Sequence, residues 1–182
     1  MAKEGRSTAV VVDLERCLAC RSCELACAKA HAGFADIVEA VLAGAHLLPR
    51  VRVIAAAGRA VPVQCQHCED APCATVCPSG AIYREEETGR VLSRPERCIG
   101  CKSCVVVCPF GAVEWHGPSR SVVKCDLCAE IIEAGEAPTC VIACPTHARR
   151  VVVLRDLTDR RRREAAARTV KLYETESKAG RK

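Results

Sequence analysis

The chain has 182 residues, 16 of them cysteine, but only two Phe, two Tyr and one Trp. An organic core in a chain of this length normally uses more aromatic bulk, so the cysteines must help to hold the fold. The formal net charge of +5 counts each cysteine as neutral, whereas thiols that bind metal are deprotonated. Because no aromatic platform lies among the basic residues, we expect no nucleic-acid binding.

The N-terminal segment carries no export or membrane signal. Residues 1–13 lack an apolar run of signal-peptide length and a twin-arginine pair. No stretch of the chain approaches the roughly 18 apolar residues of a membrane helix. Since disulfides belong to oxidising compartments, we expect a cytoplasmic location with no direct membrane span, where clustered thiols bind metal or carry out redox chemistry.

The cysteines form an internal repeat of four groups. The first and third groups have the compact spacing C-x2-C-x2-C-x3-C, while the second widens the middle gap to four residues and the fourth widens it to eleven. In chain order the groups are Cys17, Cys20, Cys23 and Cys27; Cys65, Cys68, Cys73 and Cys77; Cys98, Cys101, Cys104 and Cys108; and Cys125, Cys128, Cys140 and Cys144.

Proline follows the last cysteine of the second, third and fourth groups, whereas Ala28 follows Cys27. A Cys-Pro step ends a short helical turn and redirects the chain into a strand. The sequence therefore predicts two hairpins downstream, one pairing 82–84 with 91–93 and the other pairing 113–115 with 121–124. Tyr83 and Trp115 are expected to pack on these hairpins.

Two segments lie outside the cysteine groups. In the insert between the first and second groups, apolar spacing over 34–48 predicts a helix that ends at Pro49, and 51–54 predicts a strand. The tail from Arg155 is rich in Arg, Glu and Ala and predicts a helix that frays towards Lys182. Its arginine run at 160–163 indicates either a docking surface for an acidic partner or a solvated helix face.

The compact cysteine spacing is typical of iron-sulfur sites. Its first three thiolates wrap around one [4Fe-4S] cube, and in two-cluster ferredoxins the fourth cysteine, before proline, ligates the neighbouring cube. Zinc is the alternative, but its four-cysteine sites use two short pairs a dozen or more residues apart, a layout that only the fourth group shows. The sequence thus predicts four [4Fe-4S] clusters, whose charge of about −2 each would turn the +5 into about −3.

Several stretches carry a family resemblance: QCQHCEDAPC at 64–73, CIGCKSC at 98–104, KCDLC at 124–128, PTC at 138–140 and CPT at 144–146. They resemble the four-cluster, ferredoxin-like iron-sulfur subunits of molybdenum and tungsten oxidoreductases, formate dehydrogenases, hydrogenases and carbon monoxide dehydrogenases. The resemblance implies an α+β fold with two pseudo-symmetric bacterial ferredoxin-like halves of two [4Fe-4S] clusters each, an inserted helical segment and a C-terminal helix. One half would be 8–27 with 119–153 and the other 61–118, with 28–60 as the insert and 154–182 as the basic tail.

The same resemblance implies that groups one and four form one half, that groups two and three form the other, and that the last cysteines are exchanged within each half. The implied ligand sets, which use every cysteine, are Cys17, Cys20, Cys23 and Cys144; Cys125, Cys128, Cys140 and Cys27; Cys65, Cys68, Cys73 and Cys108; and Cys98, Cys101, Cys104 and Cys77. Nearby histidines are expected to be hydrogen-bond donors or surface residues rather than ligands; they are His31, His67, His116 and His147.

The segments 17–27 and 48–53 look most like the subunit associated with carbon monoxide dehydrogenase. This implies a non-catalytic subunit that relays single electrons between a catalytic metalloenzyme, first of all carbon monoxide dehydrogenase, and a second redox partner. A tungsten aldehyde oxidoreductase, hydrogenase or formate dehydrogenase is the alternative catalytic partner. The sequence shows no nucleophile with a base, no Walker motif and no dinucleotide fingerprint, so we expect catalysis in another subunit. An iron-sulfur maturation protein and a zinc-structured module are the remaining hypotheses.

Lys102 and Lys124 flank cysteines. The expectation for each is a solvated surface lysine, which is the usual position of this residue type. The alternative is that their positive charge lies close to the sulfurs and raises a cluster's reduction potential.

Overall fold

The computed structural model describes residues 8–34 and 36–179. In this part of the chain the strands pair as two-stranded antiparallel ribbons. The strands are β1 Thr8–Val12, β2 Val51–Ala56, β3 Arg59–Gln64, β4 Ile82–Arg84, β5 Val91–Ser93, β6 Val113–His116, β7 Ser121–Lys124 and β8 Arg149–Val153. The helices are α1 Ser22–Ala32, α2 Ile37–Leu42, α3 Pro72–Thr75, α4 Ser103–Val107, α5 Ala129–Glu133, α6 Thr139–Ile142 and α7 Leu154–Ala179, with a 3₁₀ turn at Pro95–Arg97. The fold class is α+β, as the family resemblance implies.

Both hairpins predicted downstream of the Cys-Pro steps are confirmed. β4 pairs with β5, and β6 pairs with β7 in a ribbon that extends one residue further than predicted, to His116. β1 and β8 come from distant parts of the chain and pair from Thr8 with Val153 to Val12 with Arg149. This ribbon brings the segment before the first cysteine group next to the segment after the fourth.

Proline sets how far each cysteine-bearing helix continues. α1 runs through Cys27 for 11 residues, until Gly33 ends it in a left-handed conformation (φ 76°). α3, α4 and α6 have only four or five residues, and each is followed by a Cys-Pro step. Because proline lacks an N–H and disfavours a helical conformation in the residue before it, these turns cannot extend. The absence of proline after Cys27 therefore accounts for the greater length of α1.

The helix in the insert is shorter than predicted. Asp36 caps α2 by accepting a hydrogen bond from the first turn (2.6 Å), but the helix stops at Leu42, well before Pro49. Gly44 then adopts a φ of 67°, and the N–H of the next residue bonds back to the Ala40 carbonyl (2.9 Å). This is the geometry of a glycine C-cap. The apolar spacing thus continues past the point where the backbone leaves the helix.

A hairpin forms the rest of the segment between the first and second groups, and its second strand runs past residue 60, where the predicted insert ends. The predicted strand at 51–54 extends to Ala56 and pairs with β3, which the sequence does not predict. The turn residues Ala57 and Gly58 both have positive φ (49° and 74°), and this two-residue turn matches the twist of the flanking strands. At the first turn position Ala is a much weaker hairpin signal than Asn or Asp. The sequence therefore does not predict this hairpin.

Cysteine and valine dominate the buried core. One buried cluster contains Ala71, Cys73, Ile82, Val91, Cys104, Val113 and Val122, and a second contains Cys23, Cys27, Val51, Val53 and Cys140. Trp115 packs against the first cluster, as expected for this hairpin residue. The predicted ligands therefore also hold the helices and ribbons together, and the chain needs few aromatic side chains.

α7 confirms the predicted C-terminal helix. It contacts β8 at its start, and most of its described side chains are exposed. Between residues 8 and 34 and between 36 and 179, no helix combines the length and the apolar character needed to cross a membrane.

Candidate metal centres

All sixteen predicted ligands lie in the described ranges as free thiols. Cys20 and Cys101, from the two compact groups, are exposed. The buried cysteines are Cys23, Cys27, Cys73, Cys104, Cys125, Cys128, Cys140 and Cys144. Free thiols arranged in groups of four are the donor set that [4Fe-4S] clusters require.

The residue before the second cysteine of every group has a left-handed backbone. These residues are Ala19 (φ 57°), His67 (φ 50°), Gly100 (φ 71°) and Leu127 (φ 60°). Left-handed residues turn successive N–H groups towards the inside of a loop, which suits an anionic ligand. Accordingly, the N–H of His67 donates to Cys65 Sγ and that of Leu127 to Cys125 Sγ, both at 3.4 Å. Since a non-glycine residue adopts this backbone at a cost of about 1–3 kcal/mol, the loops fit a bound anionic cluster.

A second left-handed residue follows the last cysteine of three groups, three positions further on. These residues are Gly80 (φ 62°), Gly111 (φ 58°) and His147 (φ 52°). Backbone N–H groups donate to the last sulfur of three groups: Ile82 to Cys77 at 3.5 Å, Ala112 to Cys108 at 3.3 Å, and Arg50 to Cys27 at 3.2 Å. Hydrogen bonds of this kind stabilise the thiolate form that a metal requires. The N–H group that binds the Cys27 sulfur thus comes from the insert. For Cys77 and Cys108 it comes from the turn that follows the Cys-Pro step.

Gly100→Ala is expected to lower the stability of the protein by about 1–2 kcal/mol, because L-residues are strained at positive φ. At Gly100 (φ 71°) an added Cβ would also lie 3.0 Å from a ring carbon of Trp115. Gly117→Ala is the matched control, since no atom lies within 4 Å of its added Cβ. The guanidinium concentration that halves cluster absorbance measures the effect. Equal midpoints for the two variants would contradict the prediction.

Thiols of the first and fourth groups face one another, because α1 packs against α6. Burial raises the pKa of the Cys27 thiol to about 11, a backbone N–H opposes this rise, and the nearby thiols of Cys140 and Cys128 add to it. A hydroxyl hydrogen bond lowers the pKa of Cys20, and the nearby thiol of Cys144 opposes that change. The last cysteine of each of these groups therefore lies beside thiols of the other group.

The second and third groups show the same arrangement, because α3 packs against α4. Burial, together with the nearby thiol of Cys77, raises the pKa of the Cys104 thiol to about 11. Burial also raises the pKa of Cys73, with the thiols of Cys65 and Cys108 adding to it. Buried thiols with a raised pKa stay protonated at neutral pH unless a metal replaces the proton. The donor chemistry therefore fits an iron-sulfur site in this part of the chain as well.

Asp126, in the fourth group's loop, is held by side chains from α1 and the insert. Its Oδ2 accepts a hydrogen bond from Arg50 Nη1, and its Oδ1 lies 3.7 Å from His31 Nε2. Burial alone would raise the pKa of Asp126, but Arg50 and His31 outweigh it, so the pKa lies below its ordinary value. His31, Asp126 and Cys128 place donor atoms within 4.8 Å of one another. Because Asp126 is paired with Arg50 and Cys128 belongs to the fourth group, we assign His31 and Asp126 to the hydrogen-bonded surroundings of that group.

His67 is a neutral hydrogen-bond acceptor. Burial, together with the charge of Lys124, lowers its pKa to about 3. Its Nδ1 accepts a hydrogen bond from the N–H of Val91 (2.9 Å). The ring therefore ties the second group's loop to β5.

Lys124 and Arg149 are buried cations that the sequence does not predict. For Lys124 a position close to the sulfurs is only the alternative, and the sequence does not single out Arg149. Lys124 is 1% exposed and Arg149 is 2% exposed, so the expectation of a solvated lysine is wrong for Lys124. It is confirmed for Lys102, which is exposed and lies 4.8 Å from the Trp115 ring centre. The alternation of side chains along a strand could have predicted the burial of Lys124, because Lys124 shares a face of β7 with the buried Val122.

Together, the α+β ribbons and the loops of free thiols define a small iron-sulfur protein. A family model described as "4Fe-4S dicluster domain" matches residues 57–154. The chain belongs to this family. Its sixteen cysteines correspond to four [4Fe-4S] clusters.

Curated relatives extend the match beyond the family model. The chain is 45% identical over 168 residues to an "Iron-sulfur protein" of Rhodospirillum rubrum, covering 86% of this chain and 87% of that protein. It is 40% identical over 154 residues to "Electron transport protein HydN" of Escherichia coli, covering 76% and 84%. It is also 40% identical over 144 residues to "Thiosulfate reductase electron transfer subunit PhsB" of Salmonella typhi, covering 75% and 70%. The chain is thus similar to proteins that carry electrons.

Proposed function

We propose that this protein is a non-catalytic subunit that relays single electrons between a catalytic metalloenzyme and a second redox partner. The observation that carries the proposal is that thiols of different groups lie beside one another. The Cys27 thiol lies beside thiols of the fourth group, and the Cys144 thiol lies beside a thiol of the first group. Such facing is the arrangement of two-cluster ferredoxins, in which neighbouring clusters share their loops. The names of the curated relatives support the electron-transfer role.

The proposed ligand sets are those that the resemblance implies, and they divide the chain into a half of 8–27 with 119–153 and a half of 61–118. The packing of α1 on α6 and of α3 on α4 supports the pairing of the cysteine groups in this division, although the β6–β7 ribbon crosses its boundary between 118 and 119. When bound, the four [4Fe-4S] clusters supply one-electron carriers. The chain's own loops position the thiolates, donate N–H groups to them and exclude water from those that are buried.

Exposure distinguishes the four proposed sets. Every cysteine of the set Cys27, Cys125, Cys128 and Cys140 is buried, whereas the sets that contain Cys20 and Cys101 each reach the surface. Leu18 and Ile99, next to the first cysteines of those two sets, are exposed as well. We therefore place contacts with redox partners at the Cys20 and Cys101 loops.

The first candidate for the catalytic partner is a carbon monoxide dehydrogenase, on the likeness of the segments 17–27 and 48–53. A tungsten aldehyde oxidoreductase, hydrogenase or formate dehydrogenase is the alternative. The relative PhsB is named as an electron transfer subunit of a thiosulfate reductase. Identifying the large subunit that co-purifies with the chain decides between these partners.

The protein purified without oxygen is expected to contain about sixteen iron and sixteen sulfide, because four cubes each bring four of both. Elemental analysis and reduction followed by electron paramagnetic resonance (EPR) measure the clusters. A colourless protein with zinc in place of iron would establish the zinc-structured module. Four clusters without a stable stoichiometric complex would favour the maturation protein.

A further inference from the structure

Lys124 lies buried between the second and fourth cysteine groups. Its Nζ donates to the carbonyl of Cys125 at 2.7 Å and to the carbonyl of Val91, the residue whose N–H binds His67. The ammonium group is therefore fixed next to a predicted ligand and cannot move out to solvent.

Arg149 lies buried on another side of the fourth group. Its Nη2 donates to Cys140 Sγ at 3.5 Å and to the side-chain oxygen of Gln64. Its Nε and Nη1 are buried without a hydrogen-bond partner among the described residues.

Neither cation is neutralised by a carboxylate within the described residues, in contrast to Arg50, which pairs with Asp126. A buried cation is costly unless an anion compensates it. Both side chains contact predicted cluster ligands, Lys124 through the backbone of Cys125 and Arg149 through the Sγ of Cys140. The burial of Lys124 and Arg149 therefore indicates that each is matched to the negative charge of a ligated cluster.

Both cations contact the set Cys27, Cys125, Cys128 and Cys140. Lys124 Nζ donates to the backbone carbonyl of Cys125, and Arg149 Nη2 donates to the Sγ of Cys140. All four of its thiols are buried, and burial disfavours the additional negative charge that reduction brings. A fixed positive charge near the sulfurs has the opposite effect, because it stabilises the reduced form. The two cations thus offset the penalty that burial imposes on this particular site.

We propose that the fixed positive charges of Lys124 and Arg149 raise the reduction potential of the cluster held by Cys27, Cys125, Cys128 and Cys140. This inference rests on the proposed ligand sets. The charges of Lys124 and Arg149 would allow the cluster at this fully buried set of cysteines to be reduced. Lys102 has no such role, since it is solvated and lies over the Trp115 ring.

The test is a redox titration of the purified protein, followed by EPR, in the wild type and in Lys124→Met and Arg149→Gln. The EPR signal that is present in the wild type and absent from Cys27→Ser belongs to the cluster held by Cys27, Cys125, Cys128 and Cys140. In both variants that signal is expected to appear at a lower potential than in the wild type. Lys124→Arg, which keeps the charge, is expected to remain near the wild type, and Lys102→Met is expected to leave this signal unchanged.

The outcomes separate this inference from the proposed function. Full iron content with an unchanged potential for this cluster in both variants would overturn the inference and leave the function intact. Loss of the cluster from both variants would assign the cations to assembly and would also overturn it. A wild type without reducible clusters would overturn the proposed function itself.

Discussion

Cys27→Ser is expected to remove about four of the roughly sixteen iron atoms, and the lost cluster should be the one built on Cys125, Cys128 and Cys140. Cys27 belongs to the first group in sequence, but its thiol faces Cys140 and Cys128, which add to its raised pKa. α1 continues straight through Cys27 because no proline follows, and this carries the thiol towards α6. A serine oxygen is a poor substitute for a thiolate at iron.

Three reference variants show which cluster Cys27→Ser has lost. The EPR spectrum of reduced Cys27→Ser should match that of Cys125→Ser, a change within the fourth group, and should differ from that of Cys17→Ser. Cys144→Ser is the reciprocal control and should match Cys17→Ser, because the thiol of Cys144 lies near Cys20. If Cys27→Ser instead matches Cys17→Ser, each group ligates its own cluster and the exchanged sets are wrong.

The parts of the fold that the sequence predicts are those governed by proline and by short-range alternation. Cys-Pro steps predict short helices followed by strands, and the β4–β5 and β6–β7 hairpins are found at the predicted residues. Proline acts through its own missing N–H and fixed φ, so its effect depends little on tertiary context. The longer α1 follows from the same local reasoning applied to Ala28.

The insert was less predictable because its structure depends on single backbone positions. Gly44 ends α2 through its positive φ, and the turn at Ala57 and Gly58 forms a hairpin without a strong turn signal. The pairing of β1 with β8 joins segments more than 130 residues apart. Such long-range pairing leaves no periodic signal in either strand that would identify its partner.

The charged surroundings of the site were the least predictable part. Lysine and arginine next to cysteine most often remain solvated, and only the three-dimensional packing shows that Lys124 and Arg149 are buried while Lys102 is exposed. The Arg50–Asp126 pair likewise joins the insert to the fourth group over 76 positions. The cysteine sets themselves remain predictions, supported by which thiols face each other.

Deleting 160–182 is expected to slow association with an acidic redox partner about tenfold at low salt, because charged groups at the rim of an interface act mainly on the rate of encounter. The segment carries four consecutive arginines, from Arg160 to Arg163. Within it Arg160 lies 3.8 Å from Glu164, and both side chains are largely exposed. Exposed pairs of this kind add little stability. The basic surface is therefore available for steering a partner.

The matched control for this deletion is a shorter one, 172–182, which keeps the arginine run and is expected to associate at the wild-type rate. Cluster content should be unchanged in both truncated forms, because the last predicted ligand is Cys144 and α7 begins at Leu154. Electron transfer between the purified catalytic subunit and a dye, followed at low and high salt, measures the effect. The difference between the two truncations should shrink as salt rises, since exposed charges are screened beyond about 8–10 Å near physiological ionic strength. Equal rates for all forms at every salt concentration would remove α7 from the docking surface. The exposed Cys20 and Cys101 loops and the insert, with its exposed Leu42 and Ile54, would then be the remaining candidates.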